Sequence, residues 1–175
     1  MKKNLRLSKG RKVENDVIDV LTEKFFGFSF NRYSVFDNAG NEVPQTVLIR
    51  GKRVRHPDIN VVDFFTKNNE LILRIEIKSF SSFYKNNVPD ILTDNDFLLI
   101  EKEAFDDYIY LQNSGEIECK ILFVVGSSEY LFYWDTLDNL KNKICYSGWF
   151  SPFQTDCYFW FPNDLNSGID NLVED

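Results

Sequence analysis

Polar and apolar positions alternate along residues 71–77, where Leu71, Leu73, Ile75 and Ile77 form an apolar row and Ile72, Arg74 and Glu76 face the other way, with Lys78 next in that series. A period of two predicts a strand with one face in a core. The preceding run, residues 59–66, is rich in β-branched and aromatic side chains, and Lys67-Asn68-Asn69 between the two runs is a turn signal. Together they predict a β-hairpin. On its second strand Glu76 and Lys78 are two apart and so emerge on one face, while Asp58 stands at the entrance of the first strand.

Elsewhere the pattern changes period. Val13, Val17, Val20, Leu21 and Phe25 recur at helical spacing and predict a helix from about residue 9 to 26, with Ser8 as N-cap. Glu14 falls in line with Ile18, Leu21 and Phe25, at the edge of this stripe, which turns it inward or toward a rim. Strands are predicted over 28–36 and 43–49 around the turn Asp37-Asn38-Ala39-Gly40-Asn41. A second helix is expected over 95–113, burying Phe97, Ile100, Ala104, Tyr108 and Leu111 and ending at Ser114-Gly115. The continuous apolar runs 119–125 and 130–134 predict strands in the middle of a sheet covered by helices. Asp135-Thr136 opens a short helix, residues 158–161 form a last strand, and the acidic stretch from Asn163 reads as a surface tail.

Composition changes this picture little. A chain of 175 residues with 43% hydrophobic and 27% charged residues is ordinary for one globular domain. No stretch is long and apolar enough to span a membrane, the N-terminus lacks the apolar segment of a signal peptide, and the three cysteines are odd in number and widely spaced. A cytoplasmic protein with reduced thiols is the expectation.

Charge matters more. The net charge of −7 argues against a nucleic-acid partner, but its distribution is uneven: residues 1–55 hold 12 Lys and Arg against 6 Asp and Glu, and residues 56–175 hold 8 against 21. A local basic face can bind phosphate whatever the total. Arg50, Lys52, Arg53 and Arg55 lie just ahead of Asp58 and are candidates to contact a nucleic-acid backbone, as is Lys85 in the polar, aromatic stretch after Lys78. The basic arm over residues 2–12 is either a phosphate contact or a solubilising terminus.

Two carboxylates converging at a strand end repel each other unless a cation sits between them. Oxygen donors suit a hard ion, Mg²⁺ or Mn²⁺, and an adjacent Lys can hold a water or offset charge on a phosphate. These are the parts for metal-assisted phosphodiester hydrolysis. At these residues the chain resembles the PD-(D/E)-x-K nuclease superfamily: Pro57-Asp58 matches the first half of the motif and Glu76-Ile77-Lys78 the second. The resemblance implies a restriction-endonuclease-like core over about residues 8–140, with 141–175 as an extension: an α/β fold with a mixed central sheet flanked by helices. It implies that Asp58, Glu76 and the Ile77 carbonyl bind the metal, that Glu14 on the first helix joins them directly or through water, and that Lys78 assists the attacking water. It also implies DNA as the usual substrate, with RNA open. Two-strand cleavage would favour a homodimer.

Two assignments compete within the motif. Asp63 lies 13 residues before Glu76 and Asp58 lies 18 before. Asp58 is preferred for its preceding Pro and its place at a strand entrance. His56, the one histidine, is a ligand, a phosphate contact or neither. The rival functions are a catalytically silent binding module on the same fold, and a structural protein in which Glu76 and Lys78 merely line an exposed strand face.

Overall fold

The computed structural model describes residues 2–65, 68–84, 95–115 and 117–173, with side chains described from Gly10 onward. The chain opens with helix α1 (Lys2–Lys24). The helix begins well before the expected Ser8 cap, and Ser8 and Gly10 lie inside it. Next come β1 (Phe28–Arg32), β2 (Val35–Phe36), β3 (Glu42–Val43), β4 (Thr46–Ile49), β5 (Lys52–Arg55), β6 (Ile59–Asp63) and β7 (Glu70–Phe80). After the undescribed stretch follow β8 (Leu98–Glu101), α2 (Lys102–Gly115), β9 (Glu118–Val125), β10 (Leu131–Thr136), α3 (Leu137–Asn142), β11 (Tyr146–Phe150), β12 (Thr155–Trp160) and β13 (Asn166–Ser167).

Six strands form the central sheet in the order β1-β6-β7-β9-β10-β13. Only β7 and β9 pair in parallel, and α2 lies in the crossover between them. Parallel neighbours need such a connection, whereas the antiparallel β6–β7 and β9–β10 pairs need only tight turns. The expected mixed sheet flanked by helices is therefore what the chain forms.

Each face of the sheet has its own core. On one, Val17, Leu21 and Phe25 of α1 pack on Leu73, Ile75 and Ile77 of β7 and Leu122 and Val124 of β9. On the other, Ala104, Phe105 and Tyr108 of α2 and Leu137 and Leu140 of α3 pack on Cys119, Ile121, Phe123 and Val125 of β9. This accounts for the largely apolar run of β9: a strand covered on both faces has little polar side to show. The run has one exception, Lys120, which is buried. Its ammonium donates to the Leu172 carbonyl at 3.1 Å and lies over the Trp134 ring.

Several expectations need correction. Residues 98–101 are not the first turn of the second helix. They form β8, which joins β11 and β12 in a separate antiparallel sheet of three strands. Phe97 and Leu99 then pack with Phe150, Cys157 and Phe159 in a third cluster. The predicted strand over 43–49 is split, with β3 paired to β2 and β4 paired to β5. Nor is the end of the chain a surface tail: Leu165, Ile169, Leu172 and Val173 are buried, and β13 extends the central sheet beside β10. A β-bulge also alters the apolar row of β7. Val61 faces Leu73 and Val62 faces Leu71, so Ile72 is the extra residue; Leu71 and Ile72 are both half-buried, and Ile72 packs against the core beneath α1.

The turn after β9 rests on a steric requirement. Gly126 has φ of 131°, and a Cβ there would meet the Glu129 carbonyl oxygen at 2.0 Å. Its N–H donates to the Phe80 carbonyl, which ties the turn to the end of β7. Gly126→Ala should destabilise the fold by about 2 kcal/mol or more. Gly40→Ala, also at positive φ but with nothing within 4 Å of the new Cβ, should cost clearly less. Urea unfolding of both variants checks the difference.

Candidate metal-binding and catalytic site

β6 begins at Ile59, opposite Ile75, while β7 continues for several residues beyond that point. Among the described residues no strand of the sheet therefore covers the β6-side edge of β7 from Glu76 onward. Asp58, just outside β6, fills the first vacant place. Its Oδ2 accepts the Ile77 N–H at 2.9 Å, the bond that another strand residue would otherwise have made. A residue's N–H and C=O point to the same edge of an extended strand, so the Ile77 carbonyl also faces Asp58.

The expected parity of Glu76 and Lys78 holds. Glu76 is 4% exposed, and its Oε1 pairs with Lys78 Nζ at 2.6 Å. Tyr108 of α2, which is 3% exposed, hydrogen-bonds to Glu76. Glu14 reaches in from α1. Its Oε2 stands 3.0 Å from Arg32 Nη2, an ion pair without hydrogen-bond alignment, since that buried oxygen has no hydrogen-bond partner.

The electrostatics follow from this crowding. Burial, then the neighbouring Glu76 charge, lifts the Asp58 carboxyl well above its ordinary range, with Glu14 adding and Lys78 opposing. Burial raises Glu14 too; Arg32 opposes the shift, and Glu76 and Glu42 add to it. For Lys78 burial pulls the ammonium down, but Glu76 and Asp58 outweigh it and the net shift is upward, so it is charged at neutral pH. Tyr108 is held well above its usual value by burial, then by the charges of Glu76 and Asp58, and so remains a donor.

The structure separates the two candidate aspartates. Asp63 lies at the far end of β6, opposite Glu70, about 20 Å from Glu76 along the strand. Its side chain accepts the Phe65 N–H. His56 is buried: its ring stacks on Tyr33 with centroids 3.8 Å apart, and its Nδ1 lies 2.7 Å from the Pro57 carbonyl oxygen. Burial lowers its pKa, so the neutral ring packs the turn that delivers Asp58.

The basic residues ahead of Asp58 are the tip and second strand of the β4–β5 hairpin rather than a loop. Arg50 and Gly51 form its turn, with φ of 48° and 81°. Two of the four cations are already engaged. Lys52 pairs with Asp107 at 3.3 Å, and Arg55 pairs with Glu101 at 2.6 Å. Arg50 and Arg53 are exposed and make no ion pair among the described residues. Lys85 and the basic side chains of residues 2–9 lie outside the described residues.

The sequence pattern did not single out Arg32, Glu42, Glu101 or, as a polar group, Tyr108. Tyr108 falls on the apolar stripe of α2, where its hydroxyl is the signal of a buried partner. Arg32 and Glu42 gain meaning only once β1 is laid beside β6.

The donors fit a hard cation in kind. Asp58, Glu76, Glu14 and the Ile77 carbonyl offer oxygen alone, Glu14 Oε2 is buried without a hydrogen bond, and the Asp58 carboxyl bears the repulsion of two neighbouring carboxylates. Among the described residues no three His, Cys, Asp or Glu side chains stand close enough to enclose an ion without side-chain movement. Lys78 lies against one of the oxygens an ion would take.

No protein-family profile matches the chain, and no curated protein does. Among solved structures the chain is similar to Hjc, a Holliday junction resolvase of the archaeal hyperthermophile Archaeoglobus fulgidus. The likeness spans 89% of this chain and 86% of that one, at 13% identity and a TM-score of 0.49. No described helix is long and apolar enough to cross a membrane.

The crowding predicts a stability trade. Asp58 titrates near 4 when unfolded and well above that when folded, so the folded protein holds the proton more tightly. Its contribution is then favourable below about pH 4 and lost as pH rises through the raised folded value. Asp58→Asn, which keeps an acceptor for the Ile77 N–H, should be more stable than the native protein at pH 7, by roughly 2–4 °C in Tm for each kcal/mol of repulsion relieved. The gap should close toward pH 4. Thermal melts across that range check it.

Proposed function

We propose that the chain is a Mg²⁺- or Mn²⁺-dependent nuclease that hydrolyses phosphodiester bonds in DNA. The observation that carries this reading is the meeting of Asp58 and Glu76 at the uncovered edge of β7, with Lys78 against Glu76 and the Ile77 carbonyl on the same edge as Asp58. Two largely desolvated carboxylates that repel each other gain nothing for the fold by standing together. They gain a function if a cation joins them.

Asp58, Glu76 and the Ile77 carbonyl hold the cation in this reading, and Glu14 completes the set from α1. The cation supplies Lewis acidity, which makes water a nucleophile at neutral pH and draws charge from a phosphate. Lys78, released from Glu76, orients the attacking water and offsets the charge that grows on the phosphate oxygens. Tyr108 keeps the Glu76 carboxylate aimed by donating to it. Asp58 is positioned through the Ile77 N–H and through its own carbonyl, which accepts the Tyr33 N–H at 2.8 Å. Arg50 and Arg53, which make no ion pair among the described residues, contact the backbone of the nucleic acid. Lys52 and Arg55 do so only by giving up Asp107 and Glu101.

The catalytically silent binding module keeps one observation in its favour, the short Lys78–Glu76 pair that occupies the site. Cleavage assays on duplex, branched and single-stranded DNA and on RNA, with Mg²⁺, Mn²⁺ or EDTA, decide between them. The nuclease reading predicts metal-dependent cutting of DNA that Lys78→Ala lowers by about 100-fold or more without loss of fold. Cutting that survives Lys78→Ala and EDTA, or no cutting of any substrate, contradicts it.

A further inference from the structure

Arg32 is the last residue of β1 and faces Ile59 across the strand pair, which places it beside Asp58. The next residue, Tyr33, donates its N–H to the Asp58 carbonyl. The Arg32 side chain is 25% exposed. Its Nη2 is shared by two carboxylates, Glu14 at 3.0 Å and Glu42 at 3.3 Å. Its Nε is buried and has no partner.

This guanidinium is poorly used as it stands. A planar fork of N–H groups is suited to two oxygens of one group along its edge, yet here a single nitrogen serves two separate carboxylates and a buried donor is left over. Such a donor costs about 1–3 kcal/mol, so a bidentate anion would be a better partner. Glu42 does not depend on Arg32, because it is also held by Arg11 and by the Ser34 hydroxyl. The remaining tie is Glu14, whose Oε2 faces Arg32 without hydrogen-bond alignment and whose charge is felt at Asp58. Glu14 thus stands between two positive partners, Arg32 on one side and any cation held by Asp58 and Glu76 on the other.

We infer that Arg32 is a phosphate-binding residue latched by Glu14 and Glu42, and that capture of Glu14 by the cation frees its fork for a phosphodiester of the bound DNA. The inference rests on the nuclease reading of the carboxylate site and adds a coupling to it: cation and DNA bind more tightly together than apart. By linkage each strengthens the other by the same factor. The latch also limits DNA binding in the absence of the cation, when no reaction could follow.

The test uses the full chain, a fluorescein-labelled DNA duplex and Ca²⁺, a hard cation that oxygen ligands accept in flexible geometry, with gels confirming that the DNA stays intact. Anisotropy titrations should show Ca²⁺ tightening DNA binding by about fivefold or more. In Arg32→Gln that dependence should be lost, and the slope of log K against log salt should fall by about one. The rise in Tm caused by Ca²⁺ should persist in the variant, because the carboxylates are intact. Arg32→Lys, which keeps the charge without the fork, should retain only part of the coupling and guards against misfolding of the Gln variant. Glu42→Gln should raise DNA affinity in EDTA, and that gain should vanish in the Arg32→Gln background. Equal Ca²⁺ dependence and salt slope in native protein and Arg32→Gln would overturn the latch alone. No change in Tm with Ca²⁺ in any variant would overturn the carboxylate site beneath it.

Discussion

The bond from the Ile77 N–H to the Asp58 carboxylate is the contact on which the rest of the site depends. A sheet normally satisfies its backbone groups with the next strand. Here β6 starts at Ile59, two residues short of the place opposite Ile77, and a side chain takes over the bond where β7 runs on past its neighbour. That substitution fixes Asp58 beside Glu76 and holds the Ile77 carbonyl on the shared edge. His56 and Tyr33 support it from behind by packing the turn that carries Asp58.

Around this contact each core contributes one polar group. The helix on one face supplies Glu14 and the helix on the other supplies Tyr108, so both hydrophobic clusters bear on the geometry of the same few oxygens. The net charge of −7 ceases to conflict with a nucleic-acid partner in this light. Part of the negative charge sits in the site, where a cation would neutralise it, and part holds cations in place: Asp107 on Lys52, Glu101 on Arg55, Glu42 on Arg11 and Arg32. The basic excess of the N-terminal third is therefore only partly available to a ligand.

Periodicity carried as far as local geometry reaches. Two-residue alternation placed Glu76 and Lys78 on one face because neither residue's direction depends on anything beyond its own strand. Helical spacing likewise put Glu14 at the inward edge of the first helix. Strand alternation had its limits too. It failed at Ile72, where a bulge changed the parity, and at residues 98–101, where a short apolar run fits a helix or a buried strand equally. The end of the chain misled for a related reason: Leu165, Ile169, Leu172 and Val173 are spaced irregularly within an acidic stretch, and no spacing reveals that the Lys120 ammonium meets the Leu172 carbonyl. The number of cations before Asp58 was legible, but their partners, contributed by β8 and α2, were not. Arg32 was invisible for the same reason, since its carboxylates come from α1 and β3.

The most direct test of the shared cation is calorimetric titration of Mn²⁺ into the native protein, Asp58→Asn and Glu76→Gln, with each variant's fold confirmed by circular dichroism. A cation held between the two carboxylates predicts saturable Mn²⁺ binding in the native protein that either substitution weakens by at least about tenfold. Absence of Mn²⁺ binding in the native protein, or binding of equal strength in the folded Glu76→Gln variant, would contradict it.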